Sequence, residues 1–323
     1  TLHPLTITDI DELVADTFRR APDEDTLSVA NMIYRKTGGT PYYIHELLDS
    51  LNHHGFFELI ENKWVCDINL LKKVNVSDNV IDLLAKKIND FSPSTIEFLK
   101  IASCIGNEFD LKLLAIICNK KEAEVGAILW PVIKNEIIFP LNQNYKLMHL
   151  EDTNSSIEIL FSFQDIRIQQ LIYSQIPEEE KQSIHLKIGK ELTLSIQGHE
   201  EPDLLFNKVN HMNKGRFLIK EFSERVALRD LNTEAAHKAI KATAFSMAVT
   251  YYSIAESLLS ENEWSENPKA WNLALFNLGE SLFLSGDFEK AKDTCERMYP
   301  ISDTPLLKAK MHNLKARILE FQG

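Results

Sequence analysis

The stretch Leu278-Gly279-Glu280-Ser281-Leu282-Phe283-Leu284-Ser285-Gly286-Asp287-Phe288-Glu289-Lys290-Ala291 decides how the second half of the chain is read. It holds a leucine–glycine pair, a large residue at Leu282, a turn glycine at Gly286, an aromatic at Phe288 and small residues at Ala291 and, further on, Cys295. Small residues on both sides of a tight turn let two helices approach closely. The sizes recur upstream without the glycine, as Ala236, Ala239, Phe245, Ala248, Tyr252 and Ala255, and downstream as Ala316 and Leu319. The matching small positions 236, 279 and 316 are 43 and 37 residues apart. Residues 201–323 therefore read as helical hairpin repeats.

This order is similar to that of tetratricopeptide repeats, whose nominal period is about 34 residues. The longer step here contains a polar stretch, Ser260 to Asn267, before the Pro268 that opens the next helix. In such repeats the first helix of each pair lines a concave groove. The repeat phase turns Thr233 and His237, then Phe276, Glu280 and Phe283, then Asn313, Arg317 and Phe321 towards it. An aromatic and charged mixture suits a protein or peptide partner; the alternative is that several of these are ordinary core or solvated positions. Tyr252 falls on the packing phase and reads as core.

Upstream, the pattern is also helical. Thr8 precedes the apolar-periodic Ile10, Leu13, Val14 and Phe18, with Asp11 placed for a capping box. Leu27 to Tyr34 continues the helical spacing, and Tyr42 to Leu51 forms a third helix ended at Gly55. Residues 56–76 alternate weakly, as a hairpin or extended link would. Ser77, Ser92-Pro93 and Asp110 open helices, and Lys121 to Asn135 forms another. Ile137 to Leu141 and Ile157 to Phe163 read as two strands around a polar tip, before a long helix from Ile166 to Leu194 broken near Pro177. Short helices followed by a two-stranded hairpin are the winged-helix pattern. The reading is an all-α chain with one small β hairpin: a helical lid at 1–55, a link at 56–76, a winged-helix-like domain at 77–200 and repeats at 201–323.

Composition agrees. Gly and Pro are 11 each in 323 residues, too few turn-formers for a β sandwich, while 44% apolar and 25% charged residues are ordinary for a globular protein. The formal charge of −12 opposes a phosphate-neutralising surface, so nucleic acid is not an expected partner. No apolar run reaches the roughly 18 residues of a membrane span, and the scattered cysteines fit a reducing, cytoplasmic compartment. The cysteines Cys66, Cys104, Cys118 and Cys295 lie far apart, and neither they nor the histidines have metal-ligand spacing. Gly189-Lys190 lacks the rest of a phosphate loop, and kinase and nucleophile-elbow patterns are absent, so no complete active site is expected. Thr1 in place of Met, and Gly323 inside an unfinished repeat, suggest a piece of a longer polypeptide.

Thr37-Gly-Gly-Thr-Pro41 has two readings. It is a helix C-cap, a turn and the start of the next helix, or it presents Pro41 to an adenine held by a neighbouring domain.

Arg35-Lys-Thr-Gly-Gly-Thr-Pro-Tyr-Tyr-Ile-His-Glu-Leu-Leu48 resembles the lid segment of STAND-class ATPases, typically TGGNPFFIxELL. Further similar runs are Val76 to Ala85, Phe91-Ser-Pro-Ser-Thr95, Ile101 to Asp110, Arg167-Ile-Gln-Gln-Leu-Ile-Tyr173, Ile176 to Lys181 and Val209 to Gly215. As a series they resemble large bacterial signalling proteins that join a Ser/Thr kinase domain, a STAND ATPase, helical repeats and often a histidine kinase. The resemblance implies an ATPase core upstream of Thr1 in the same polypeptide. It places Gly39 and Pro41 at the nucleotide, leaves no cofactor to this chain alone, and allows ADP or ATP in the parent. The family usually has Phe-x-His-Asp-Arg before the Gln-Gln pair, its His contacting the diphosphate. Here Asp165 stands in place of that His, within Phe163-Gln-Asp-Ile-Arg167, and either nucleotide sensing is altered or Arg167 supplies the cation.

The functional expectation is a regulatory region coupling partner binding on the repeats to the nucleotide state of that upstream core. The alternatives are a passive helical scaffold and a winged-helix transcriptional regulator.

Overall fold

The computed structural model describes residues 3–53, 57–60, 63–66, 80–148, 158–194, 202–298 and 305–322. Among them are sixteen α-helices and five short strands, a mainly α fold as expected. No described helix is long and apolar enough to cross a membrane. Two compact units are present: Thr1–Ser103, Gly126–Gln143 and Phe161–Gln175 form one, and Cys104–Val125, Asn144–Leu160 and Ile176–Gly323 the other.

The first unit opens with α1 (Ile7–Thr17), α2 (Glu24–Thr37) and α3 (Pro41–His53). Ile10, Val14 and Phe18 pack with Val29, Ala30, Ile33, Ile44, Leu47 and Leu51 into one core. Leu13, read from sequence as part of that stripe, is 40% exposed. The helix starts two residues earlier than its sequence suggests. Thr6 and Asp9, not Thr8 and Asp11, make the reciprocal capping box. The cause is tertiary: the Leu5 amide donates to the Gly39 carbonyl at 2.8 Å, which fixes where the extended entry ends.

A two-stranded antiparallel pair follows, β1 (Phe57–Ile60) and β2 (Lys63–Cys66), in the register Phe57↔Cys66. Ser77, the remainder of the expected link and the tip at 149–157 lie outside the described residues. Then come α4 (Val80–Asn89) and α5 (Pro93–Ile105); the Ser92 hydroxyl accepts from the Thr95 amide, as its Ser-Pro sequence anticipates.

Next in chain order are β3 (Glu108–Asp110), α6 (Leu111–Cys118), α7 (Glu122–Lys134), β4 (Ile138–Pro140) and, after a 3-10 turn at Gln143–Leu147, β5 (Leu160–Phe163). Strands β4 and β5 are antiparallel, Ile138 opposite Phe163. Asp110 caps α6 through the amides of Lys112 and Leu113. The expected long helix is two: α8 (Ile166–Ser174) and α9 (Glu178–Leu194), interrupted at Pro177, which has no amide to continue the ladder.

The second unit continues with α10 (Pro202–Lys214), α11 (Phe222–Lys241), α12 (Phe245–Ser257), α13 (Glu261–Ser265), α14 (Pro268–Ser285), α15 (Phe288–Met298) and α16 (Pro305–Gln322). Successive long helices pack on one another, α10 on α11, α11 on α12, α12 on α14 and α14 on α15. The small residues Ala235, Ala236, Ala239, Ala248 and Ala291 are buried among Tyr251, Tyr252, Leu275, Leu278 and Leu282. A Cβ added at Gly279 would meet Leu314, Thr294 and Cys295 at 3.5, 3.6 and 3.8 Å, ordinary packing contact, so the site takes a small residue but does not demand glycine.

One repeat expectation changes. Ala316 is exposed; the packing face of α16 is Met311, Leu314 and Ile318, so the third copy is out of phase with Gly279. The polar stretch 260–267 holds a short helix of its own. Ser260 and Glu263 form a capping box for α13, whose Trp264 is 2% exposed, donates to the Glu256 carbonyl and stacks near Trp271.

Candidate functional site

The turn at Thr37–Pro41 is built from inside the first unit. Gly38 ends α2 in the left-handed region at φ 61°, its amide on the Tyr34 carbonyl. The buried Thr37 hydroxyl donates to Ile33 and accepts from the Gly39 amide. Gly39, at φ 77°, is pressed onto the Leu5 backbone so closely that a Cβ would run into the Leu5 carbonyl. Its polar groups are thus committed within the protein. Pro41 begins α3 and is exposed.

Arg167 lies in the same unit, at the start of α8. Asp165 caps this helix by accepting the Arg167 amide at 2.8 Å, and takes the Arg167 guanidinium as well, Nε and Nη2 each at 3.0 Å. The guanidinium carbon sits 4.2 Å from the centre of the buried Tyr43 ring. Burial works against the Asp165 carboxylate, but the Arg167 hydrogen bonds prevail and hold its pKa below the usual range, while the same bonds raise that of Arg167. Arg167 is therefore pinned between an anion and an aromatic face, with two of its donor positions occupied. The Asp165 carboxylate beside it opposes the approach of a phosphate by charge. Burial, and next the charge of Glu46, raise the pKa of the neighbouring Tyr42 phenol.

The repeat residues divide. Phe276 and Glu280 on α14 and Asn313 and Arg317 on α16 line one cleft of about 400 Å³, together with Ala309, Lys310 and Leu314. Phe283 is buried rather than open to a groove: it packs with Phe288 and Phe321 in an aromatic cluster, with the Arg317 guanidinium carbon 4.5 Å from its ring centre. Phe321, at the far end of α16, is 68% exposed. Thr233 donates to the Arg229 carbonyl of its own helix, and His237 meets the Tyr252 ring edge-on; neither lines the cleft. Tyr252 is buried, as its phase implied, and burial together with the Glu280 charge pushes its pKa up to about 12.

One constellation was not read from the sequence. His185 on α9 and His211 on α10 are both buried, and their Nδ1 atoms lie 2.9 Å apart. Nothing in the separate positions, 26 residues apart, announces the pairing. The local signal is Gly189, one turn after His185, where a side chain would collide with Met212 beside His211; glycine lets α9 and α10 close to this distance. Among the described residues no three His, Cys, Asp or Glu converge as a metal site would require.

Comparison with known proteins gives one relevant match. The chain is 26% identical over 360 aligned residues to hybrid signal transduction histidine kinase G of Dictyostelium discoideum, covering 94% of this chain and 10% of that protein. It thus spans about a tenth of that relative's length. No family model matches, and no solved structure matches.

Proposed function

We propose that this chain is the non-catalytic regulatory region of a signalling protein, and that its helical repeats bind a protein partner. The observation that carries the reading is the cleft between α14 and α16, where Phe276, Glu280, Asn313 and Arg317 meet, four of the eight positions picked out by repeat phase. The likeness to a signal transduction histidine kinase supports the signalling role. On this reading residues 1–55 are a lid and 77–200 a winged-helix-like domain, and partner binding shifts them against an ATPase core elsewhere in the polypeptide. ADP or ATP binds there, with this chain contributing only edge contacts from Gly39, Pro41 and Arg167. We place the region in the cytoplasm.

The test uses the longer polypeptide. Phe276→Ala and Glu280→Lys change its nucleotide affinity or autophosphorylation in response to partner, relative to unsubstituted protein. Identical output from both variants across all conditions overturns the coupling.

The Arg167–Asp165 pair favours a second reading, a scaffold that never touches nucleotide, because the cation expected at the phosphate is already neutralised. ADP titration of the same longer polypeptide separates the two.

A further inference from the structure

We propose that the cleft between α14 and α16 takes an extended acidic segment of a partner polypeptide, carrying carboxylates on alternate residues. This rests on the partner-binding reading above and specifies the chemistry of the partner.

The floor is apolar: Leu314 is 2% and Phe276 9% exposed. The rim is polar. Lys310, Asn313 and Arg317 stand on α16 with Glu280 facing them from α14. Among the described residues, no side chain of these four makes a hydrogen bond or ion pair. The two cations are steered by aromatic faces instead, Lys310 Nζ 5.7 Å from the Phe276 ring centre and Arg317 4.5 Å from that of Phe283. Aromatic support holds a charge in place without satisfying its N–H donors. In a chain of net charge −12, a cleft with two cations to one carboxylate is locally reversed in sign.

Spacing selects the ligand. Positions 310, 313 and 317 share a helix face, and seven residues at 1.5 Å per residue place the two cations about 10 Å apart along the axis. Same-face side chains of an extended segment recur at about 7 Å. Long Lys and Arg stems leaning inward close the difference, so an acidic-x-acidic run reaches both. The Asn313 amide then lies between them, against the segment's main chain, and Glu280 accepts a main-chain N–H from the opposite side. The residue between the two acids faces away from α16.

The experiment is fluorescence anisotropy on the 323-residue chain with labelled Gly-Asp-Phe-Asp-Gly and its charge-reversed counterpart Gly-Lys-Phe-Lys-Gly, at low and high salt. The acidic peptide binds and the basic one does not; Lys310→Glu and Arg317→Glu each weaken binding about tenfold, and the double variant transfers preference to the lysine peptide. Both cations sit at exposed positions, and Lys310→Gln with Arg317→Gln, which add no charge, give the intermediate loss if folding is intact by circular dichroism. Binding that ignores these substitutions, equal binding of inorganic polyphosphate with no dependence on peptide sequence, or no binding at all, overturns the proposal. If the peptide fails while Phe276→Ala still alters output of the longer polypeptide, the acidic-partner inference falls alone; if both fail, the partner-binding reading falls with it.

Discussion

His185 and His211 share a buried Nδ1–Nδ1 hydrogen bond of 2.9 Å. One ring nitrogen must donate and the other accept, so at least one member of the pair is deprotonated at that atom. His211 also bonds the Ile105 carbonyl, and the facing charges are Lys214 and Lys181, both positive. Burial first, and Lys214 next, lower the His185 pKa to about 3 and the His211 pKa to about 4.

Acid should therefore loosen the second unit before carboxylates titrate. The unfolded imidazoles bind protons below about pH 6.5 while the folded pair stays neutral, so stability is complete above that pH and is lost as pH falls. At pH 5 the loss is at most about 2 kcal/mol per imidazole. Urea midpoints at pH 7.5 and pH 5 measure it, and His185→Leu with His211→Leu flattens the difference. An unchanged midpoint in the unsubstituted chain refutes the account.

The Thr37–Pro41 turn predicts an order between two neighbouring glycines. Both have positive φ, but a Cβ at Gly38 meets open space and one at Gly39 meets the Leu5 backbone. Gly38→Ala should destabilise by about 1 kcal/mol, and Gly39→Ala by about 3 kcal/mol or more. Thermal unfolding of the two variants decides it, and equal effects would show that the Leu5 contact gives way.

Asp165→Ala removes both an N-cap and the partner of Arg167. The lost cap costs about 1 kcal/mol. If Arg167 serves a phosphate in the longer polypeptide, freeing it tightens ADP binding there; Arg167→Ala loosens it. Calorimetric titration that finds neither change leaves the scaffold reading standing.

Trp264 anchors the α13 turn by burial, stacking and its bond to Glu256, and Arg225 ties the same turn through Glu263. Trp264→Ala should cost about 3–5 kcal/mol, seen as a lowered denaturant midpoint. Glu263→Gln, which keeps the shape, should cost much less. A mild Trp264→Ala would mean that α13 is not part of the cooperative unit.

Much of the fold is local and therefore legible. Asp110, Ser92-Pro93, Asn267-Pro268 and Gly286 mark helix ends by chemistry that acts within four residues, and each marks one in the structure. Periodicity placed Ile10, Val14, Tyr252 and Leu282 inside, because a helix face repeats whatever it packs against. Phe276, Glu280, Asn313 and Arg317, four of the eight positions read from the repeats, line one cleft in the structure.

What lay beyond sequence depends on distance in space. The start of α1 at Thr6 follows from a hydrogen bond between Leu5 and Gly39, 34 positions later. Ala316 has the right size, but the packing of α16 chose Met311, Leu314 and Ile318, because a helix can turn about its axis to bury its larger side chains. Asp165 reads in sequence as a charge opposing phosphate; only the folded chain shows it holding Arg167 against Tyr43. The sequence by itself determined the helices and their faces, through backbone chemistry and periodicity. The tertiary structure decided which polar groups are left for a ligand, because that depends on which are already paired.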